Sequence, residues 1–442
     1  HRTYVRYIMN IKEYDWGCCT LKRVIFHVDV NSAFLSWEAA YRIHHLGGRL
    51  DIRTIPSAVG GDQDRRHGII LAKSIPAKGY GVQTGEPIVD AKRKCPDLLL
   101  VPPNYTLYNR SSRALIQILS EYTDRIEQFS IDEAFLDMTG CPGEPLQTAE
   151  KMKLQISKEL GFTVNIGISS NKLLAKMASD FQKPNRVHTL WPEEISVKMW
   201  RLPVKDLYYV GHASQKKLSM LGIHTIGQLA QTSDSILYGH MKSHGRLLKQ
   251  YANGIDDSPV ITNPPPNKGY GNSLTTPRDV TTFDVAKLYL LSLAETVSAR
   301  LREDQARIRV VEVSIRDYNL FFYHHQRTLD TPTDLTVEIY QKACECLKEL
   351  WNGIPLRHLG IHTSGVTRTR ERQLRLFEKI DYDKQRKVET AVDALRKRYG
   401  ADIIKRASFV DSPQRASLGI DHMGGGISRE KRNVDYSKEI IQ

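Results

Sequence analysis

Two apolar runs give the first structural signal in the chain. Val24-Ile25-Phe26-His27-Val28-Asp29-Val30 and Ser130-Ile131-Asp132-Glu133-Ala134-Phe135-Leu136-Asp137 are rich in β-forming residues and read as buried strands. Between and after them the pattern alternates with helical periods. Phe34 to His44 spaces Phe34, Trp37, Ala40 and Tyr41 as a helix face and stops at Gly47-Gly48. Residues 49–87 read as short strands (Ala58-Val59, Gly68 to Ala72) and glycine turns. Helices are predicted for Tyr108–Tyr122, Ala149–Leu160 and Asn171–Phe181, with a strand at Thr163–Ile168 and a hairpin over 127–139. Strands and helices are mixed rather than strictly alternating, which predicts an α+β layer architecture.

Beyond about residue 190 the pattern shortens into small helices, 214–221 and 226–231, around Gly211 and Gly222. Residues 255–271, with Pro264-Pro265-Pro266, read as an extended linker. A second α+β segment follows, with helix 283–303, strands 309–316 and 320–329, helix 333–351 and a strand near 356–366. Within it Val311, Val313 and Ile315 alternate with Val310, Glu312 and Ser314, as a half-buried strand requires. A last helix places Val388, Val392, Leu395 and Tyr399 on one face, and a flexible tail is expected from 411.

Length and composition sharpen this picture. A chain of 442 residues predicts three or four domains. Its 63 basic and 50 acidic residues give net +13, which favours a polyanionic partner. Residues 357–406 hold 14 Lys/Arg against 7 Asp/Glu. Cys18, Cys19, Cys95, Cys141, Cys344 and Cys346 form no CxxC pair, which argues against a zinc site or a disulfide framework. No apolar run nears the roughly 18 residues of a membrane span, and no signal peptide is visible. A cytoplasmic protein with no membrane partner is therefore expected. Met9 reads as the natural start, with His1 to Ile8 a remnant or an upstream extension.

The candidate chemistry lies in the two apolar strands. Asp29, Asp132 and Glu133 put three carboxylates on them. Neighbours on a regular strand face opposite ways, so the backbone must bend at Asp132-Glu133 for both to reach one place. Three such acids suit a hard divalent cation with open positions for phosphates. Asp29 alone reads more readily as a solvated loop residue, and the surrounding pattern is what moves the balance.

That pattern, Val28-Asp29-Val30-Asn31-Ser32-Ala33-Phe34 followed by Ser130-Ile131-Asp132-Glu133-Ala134-Phe135-Leu136-Asp137, resembles the two metal-binding motifs of Y-family lesion-bypass DNA polymerases, and most closely their bacterial polymerase IV branch. The likeness runs from about residue 23 to 410. It implies a multidomain right hand: N-terminal extension 1–22, palm 23–40 and 88–185, fingers 41–87, thumb 186–254, linker 255–271, little finger 272–372, clamp-binding peptide 373–377, C-terminal helical segment 378–410 and tail 411–442. It also implies that Asp29, Asp132 and Glu133, with the carbonyl of Val30, hold two Mg²⁺. The expected partners are primer-template DNA, a dNTP and a bacterial sliding clamp, acting on a monomer with low fidelity.

Further positions follow from the same likeness. Phe34, five residues after Asp29, falls at the steric gate against ribonucleotides, although it also reads as a core aromatic. Lys183 and Lys78 are triphosphate contacts by position, or else surface residues. Lys78 stands where the family commonly has arginine, and Ile75 where it has tyrosine. Gly211 and Ser214 belong to a helix-hairpin-helix for DNA phosphate, with Ala213 in place of the second glycine; an ordinary αα-hairpin is the alternative. Gln373, Leu374, Leu376 and Phe377 resemble a clamp-binding peptide, or a packed lip of the little finger. Two other functions compete: an inactive DNA-binding scaffold of the same fold, and a nucleotide cyclase.

Overall fold

A computed structural model describes residues 22–61, 68–369, 381–410 and 418–419. The candidate residues Gln373, Leu374, Leu376 and Phe377 lie outside these. The described chain divides into two compact units, one of residues up to Asn31 with Ser111–Asn263, the other of Ser32–Arg110 with residues from Pro264 onward.

The first unit is built on a five-stranded sheet ordered Ile126–Gln128, Glu133–Asp137, Ile25–Val30, Val164–Ser169, Val187–Thr189. The Ile25–Val30 strand is central and antiparallel to both neighbours, so all six of its residues are buried. One sheet face is apolar, carrying Phe26, Val28, Ala134, Leu136, Ile166 and Ile168. Helix Pro145–Leu160 packs on this sheet and buries Ala149, Met152 and Ile156. The opposite face carries His27, Asp29 and Glu133 and receives helix Lys172–Asp180. That helix comes unusually close, because a Cβ on Gly167 would lie 1.9 Å from the Ala175 carbonyl oxygen and 2.4 Å from the Ser179 amide.

In the same unit, His212–Met220 and Ile226–Gln231 form a helix pair, joined through Gly222 at φ 73°. Thr225 caps the second helix by accepting from Gln228 N, while the Gln228 side chain returns to Thr225 N. Helix Asp234–Ala252 follows, broken at Lys242 (φ 56°).

The second unit holds a small sheet ordered Ile70–Lys73, Ser57–Gly60, Leu99–Val101. It also holds a four-stranded antiparallel sheet ordered Phe322–Thr333, Ile308–Asp317, Leu356–Ser364, Tyr270–Val280. Helices Phe283–Glu303 and Thr336–Leu350 cover one face of the larger sheet, where Val311, Val313 and Ile315 are buried with Leu290, Leu293 and Val297.

Two expectations change here. The strand Tyr270–Val280 begins inside the stretch read as a linker. Its Gly271, Asn272 and Pro277 hide it from a propensity reading, but it is an edge strand, where proline is tolerated. Helix Tyr382–Tyr399 is also turned over relative to its apolar stripe: Val388, Leu395 and Tyr399 are 53%, 43% and 56% exposed. The buried side carries Tyr382, Glu389 and Arg396.

The buried side is polar but satisfied. Glu389 Oε2 accepts from Arg302 Nη1 and from the amide and hydroxyl of Thr336 at 3.1 Å each, and Arg302 Nε donates to Asp393 at 2.6 Å. Arg396 pairs with Glu295 at 3.4 Å and donates to the Ile404 carbonyl. Glu389→Ala leaves the Arg302 charge buried beside Asp393 alone. Breaking one side of a buried pair costs about 3–5 kcal/mol, and denaturant unfolding should show a loss of that order.

Candidate active site

The antiparallel register puts Asp29 directly opposite Glu133. Such pairs hold Cβ atoms roughly 4.5–5.5 Å apart, and like charges so placed repel. The backbone bend expected at Asp132-Glu133 is present: Asp132 sits just before the strand and Glu133 opens it. The Val30 amide donates to the Asp132 carbonyl at 3.0 Å, which ties the two strand ends together. The Asp132 carboxylate accepts from the Ser130 hydroxyl at 2.6 Å. Among the described residues no group of three or more His, Cys, Asp or Glu side chains is gathered closely enough to hold a metal ion. The structure therefore brings Asp29 and Glu133 side by side and leaves the Asp132 side chain engaged with Ser130.

Cationic side chains offset the opposed acids. Lys183 Nζ lies 2.6 Å from Asp29 Oδ2 and 2.8 Å from Asp180 Oδ1. Lys176 Nζ lies 3.0 Å from Glu133 Oε1. Helix spacing explains the second contact, since Lys172, Lys176 and Asp180 recur every four residues on one face. Lys172 pairs with Glu127 at 2.7 Å in the same way. The segment carrying Lys183 is anchored through Asn185, whose amide donates to Asn31 Oδ1 at 2.9 Å. Asn31 Nδ2 in turn donates to Asn165 Oδ1 at 3.0 Å, joining the end of strand Ile25–Val30 to its neighbour Val164–Ser169.

Burial and charge set the two acids apart. Burial pushes the Asp29 carboxyl up to about 6 against the pull of Lys183. Burial acts on Glu133 in the same direction, but His27 and Lys176 outweigh it and hold Glu133 down at about 2. Lys183 is raised above its ordinary range, because Asp29 and Asp180 overcome the burial that would lower it. His27 is wholly buried, and that burial lowers its pKa. Its Nδ1 meets the Ser179 hydroxyl at 2.8 Å, and its Nε2 stands 3.7 Å from Glu133 Oε2, an electrostatic contact too long for a hydrogen bond.

The sequence reading gave His27, Lys176 and Asp180 no role at the site. The signals were present: His27 shares a strand face with Asp29 at i+2, and Lys172, Lys176 and Asp180 share a helix face.

In donor chemistry, though not yet gathered around one point, the three acids suit a hard divalent cation. Asp29, Asp132 and Glu133 offer oxygen only, they stand at one end of two adjacent strands, and Asp29 and Glu133 already draw cations.

The remaining candidates have their own surroundings. The Phe34 ring is half-buried and stacks on Tyr108 (centroids 4.6 Å, 7°), with Tyr105 edge-on at 5.7 Å. Lys78 is exposed on the short helix Ile75–Gly79. Lys73 is near enough that burial and the Lys78 charge lower its pKa, so the pair forms a cationic spot that the sequence reading missed. Gly211 is the exposed N-cap residue of helix His212–Met220, while the Ser214 hydroxyl meets His244 Nε2 at 3.1 Å.

Comparisons with known proteins agree with this architecture. A structure of a Y-family DNA polymerase chimera superposes with TM-score 0.67 at 22% identity, over 78% of this chain and 100% of that one. The fold is thus that of a Y-family DNA polymerase. Residues 28–180 match the model of the impB/mucB/samB family, 192–223 the IMS family HHH motif and 267–376 the impB/mucB/samB family C-terminal domain. DNA polymerase IV of Clostridium acetobutylicum is 40% identical over 397 residues, 89% of this chain and 100% of the relative. DNA polymerase IV 1 of Bacillus subtilis is 34% identical over 420 residues, 93% and 99%. The chain belongs to the impB/mucB/samB family of lesion-bypass DNA polymerases. Membership implies DNA binding and dependence on a divalent metal. Among the described residues no helix is long and apolar enough to cross a membrane.

Proposed function

We propose that this chain extends a DNA primer on a template by two-metal nucleotidyl transfer with low fidelity, using Asp29, Asp132, Glu133 and the Val30 carbonyl to hold two Mg²⁺. The observation that carries the reading is the Asp29–Glu133 pair, directly opposed and held by Lys183 and Lys176. When bound, the cations favour ionisation of the primer 3′-hydroxyl and neutralise the leaving pyrophosphate.

The protein groups do the rest. Asp29 and Glu133 fix the position of positive charge, and Lys183, tied down through Asn185, adds a fixed cation for the triphosphate. Lys78 with Lys73 supplies a second cationic spot for the dNTP. Phe34, braced on Tyr108, acts as the floor that excludes a ribose 2′-hydroxyl. Gly211 and Ser214 open a helix whose N-terminal amides suit a DNA phosphate. Gln373, Leu374, Leu376 and Phe377 serve as the sliding-clamp peptide of a monomeric, cytoplasmic enzyme.

Metal binding tests the reading apart from turnover. Titrated with Mn²⁺ in the presence of DNA and a non-hydrolysable dNTP, the wild type should bind two ions, and Asp29→Asn should lose at least one. Equal binding in both would remove Asp29 from the site.

A further inference from the structure

The proposed transfer assigns Lys183 to the triphosphate and gives Lys176 no part in the chemistry, yet Lys176 is the more closely held of the two. Its side chain is 12% exposed, against 37% for Lys183, and its Nζ lies 3.0 Å from Glu133 Oε1. The Tyr208 ring stands 5.9 Å from the same ammonium. Lys183 is shared between Asp29 and Asp180, whereas Lys176 is paired with Glu133.

The surrounding elements fix where this charge falls. Asn171 caps helix Lys172–Asp180 by accepting from the Leu174 amide at 2.8 Å, and its own side-chain amide donates to the Gly254 carbonyl at 2.8 Å. Gly167 lets the helix lie directly on the sheet. The Lys176 carbonyl accepts from the Ser179 hydroxyl at 2.8 Å, and that hydroxyl also meets His27 Nδ1. His27 Nε2 faces the other carboxylate oxygen, Glu133 Oε2, at 3.7 Å. The two oxygens of Glu133 thus meet a helix lysine on one side and a strand histidine on the other.

An ammonium so placed is a competitor as well as a counter-ion. A divalent ion that takes Glu133 must share the carboxylate with Lys176 or displace it, and like charges at near-contact distance repel even in water. For a single and a double charge that repulsion is worth on the order of tenfold in affinity. A purely structural ion pair has the opposite consequence: without the lysine Glu133 is less well placed, and metal binding weakens or stays as it was.

We propose that Lys176 is a positioning residue that sets the metal affinity of the acids: it holds Glu133 in place and keeps its hold on a divalent cation weak. Removing the lysine should load the acids more readily, not less. The inference rests on the assignment of Asp29, Asp132 and Glu133 to metal.

The full chain is titrated with Mn²⁺, without DNA or nucleotide, and free Mn²⁺ is read by electron paramagnetic resonance. Lys176→Met and Lys176→Gln should each bind Mn²⁺ roughly tenfold more tightly than the wild type. Lys176→Arg keeps the charge and should stay within about threefold. Lys172→Met removes the lysine one turn earlier, which pairs with Glu127 at 2.7 Å. It too should stay within about threefold, since charge effects fall with distance. Weaker or unchanged binding in both neutral variants, with Asp29→Asn still losing metal, would overturn the proposal and leave the metal reading standing. Tightening by Lys172→Met as large as that by Lys176→Met would overturn it as well, because any lost cation would then serve. Binding indifferent to Asp29→Asn would sink the metal reading and this proposal with it. Should neither neutral variant fold, the wild type decides: reductive methylation of Lys176, read by mass spectrometry, should rise when Mn²⁺ replaces EDTA, as the amine is released from Glu133. Unchanged or reduced labelling would overturn the proposal.

Discussion

Asp29→Asn and Glu133→Gln should each cut primer extension by at least about 10³-fold, the order expected when a preorganised charge at the reacting phosphate is lost. Their effects on stability in metal-free buffer should differ in size. Asp29 is buried and its carboxyl is pushed up to about 6, so its charged form is disfavoured by the fold. A neutral residue removes that cost but forfeits the ion pair with Lys183, so the melting temperature should change little near pH 7. Glu133 is held down at about 2 despite its burial, by His27 and Lys176. A depressed carboxylate contributes stability that is present above its ordinary pKa and lost as pH falls toward the folded value. Glu133→Gln forfeits that contribution, roughly 1–2 kcal/mol after solvent screening, and should melt lower. The checks are single-turnover primer extension and thermal melting of both variants. Extension retained in either one would defeat the assignment. A fall in Asp29→Asn as large as that in Glu133→Gln would mean that the charge arrangement is misread.

Phe34→Ala should lower discrimination against ribonucleotides by about 10- to 200-fold, because a group of methylene size in a close-fitting pocket is worth that much. The ring is well placed to act as a rigid wall. It lies flat on Tyr108, whose hydroxyl donates to the buried Glu38 at 3.1 Å, and Trp37 packs against it at 5.9 Å. Losing the ring also removes a partly buried aromatic, so some destabilisation is expected alongside. The measurement is the ratio of kcat/KM for a dNTP and the matching rNTP opposite the same template base. An unchanged ratio would make Phe34 a packing residue only.

Much of the fold was legible because the strands carrying the acids are apolar enough to announce themselves. Ile25 to Val30 and Ala134 to Leu136 are buried, as their composition requires. Helix Phe283–Glu303 has the limits read from the sequence. What escaped depended on tertiary partners. Strand Tyr270–Val280 forms because Leu356–Ser364 offers it a ladder, not because Gly271, Asn272 and Pro277 favour strands. Helix Tyr382–Tyr399 turns its apolar stripe outward because Arg302, Asp334 and Glu295 offer charges that its polar face can satisfy.

At the site, Asp29 and Glu133 could be found by motif, but the roles of Lys176 and His27 could not. Those depend on helix Lys172–Asp180 lying down on the sheet, and this close approach needs a residue without a side chain at Gly167. The exposed side chains from Leu320 to Tyr323 read in sequence as an ordinary strand, since only the structure shows that they are exposed.

The central claim is that this chain copies a DNA template. A labelled primer annealed to a template of known next base, offered one dNTP at a time with Mg²⁺ or with EDTA, tests it most directly. The account predicts one-nucleotide extension fastest with the complementary dNTP, slower but measurable extension with mismatched ones, and none in EDTA. Absence of extension with every dNTP in Mg²⁺, or equal extension whatever the template base, would contradict it.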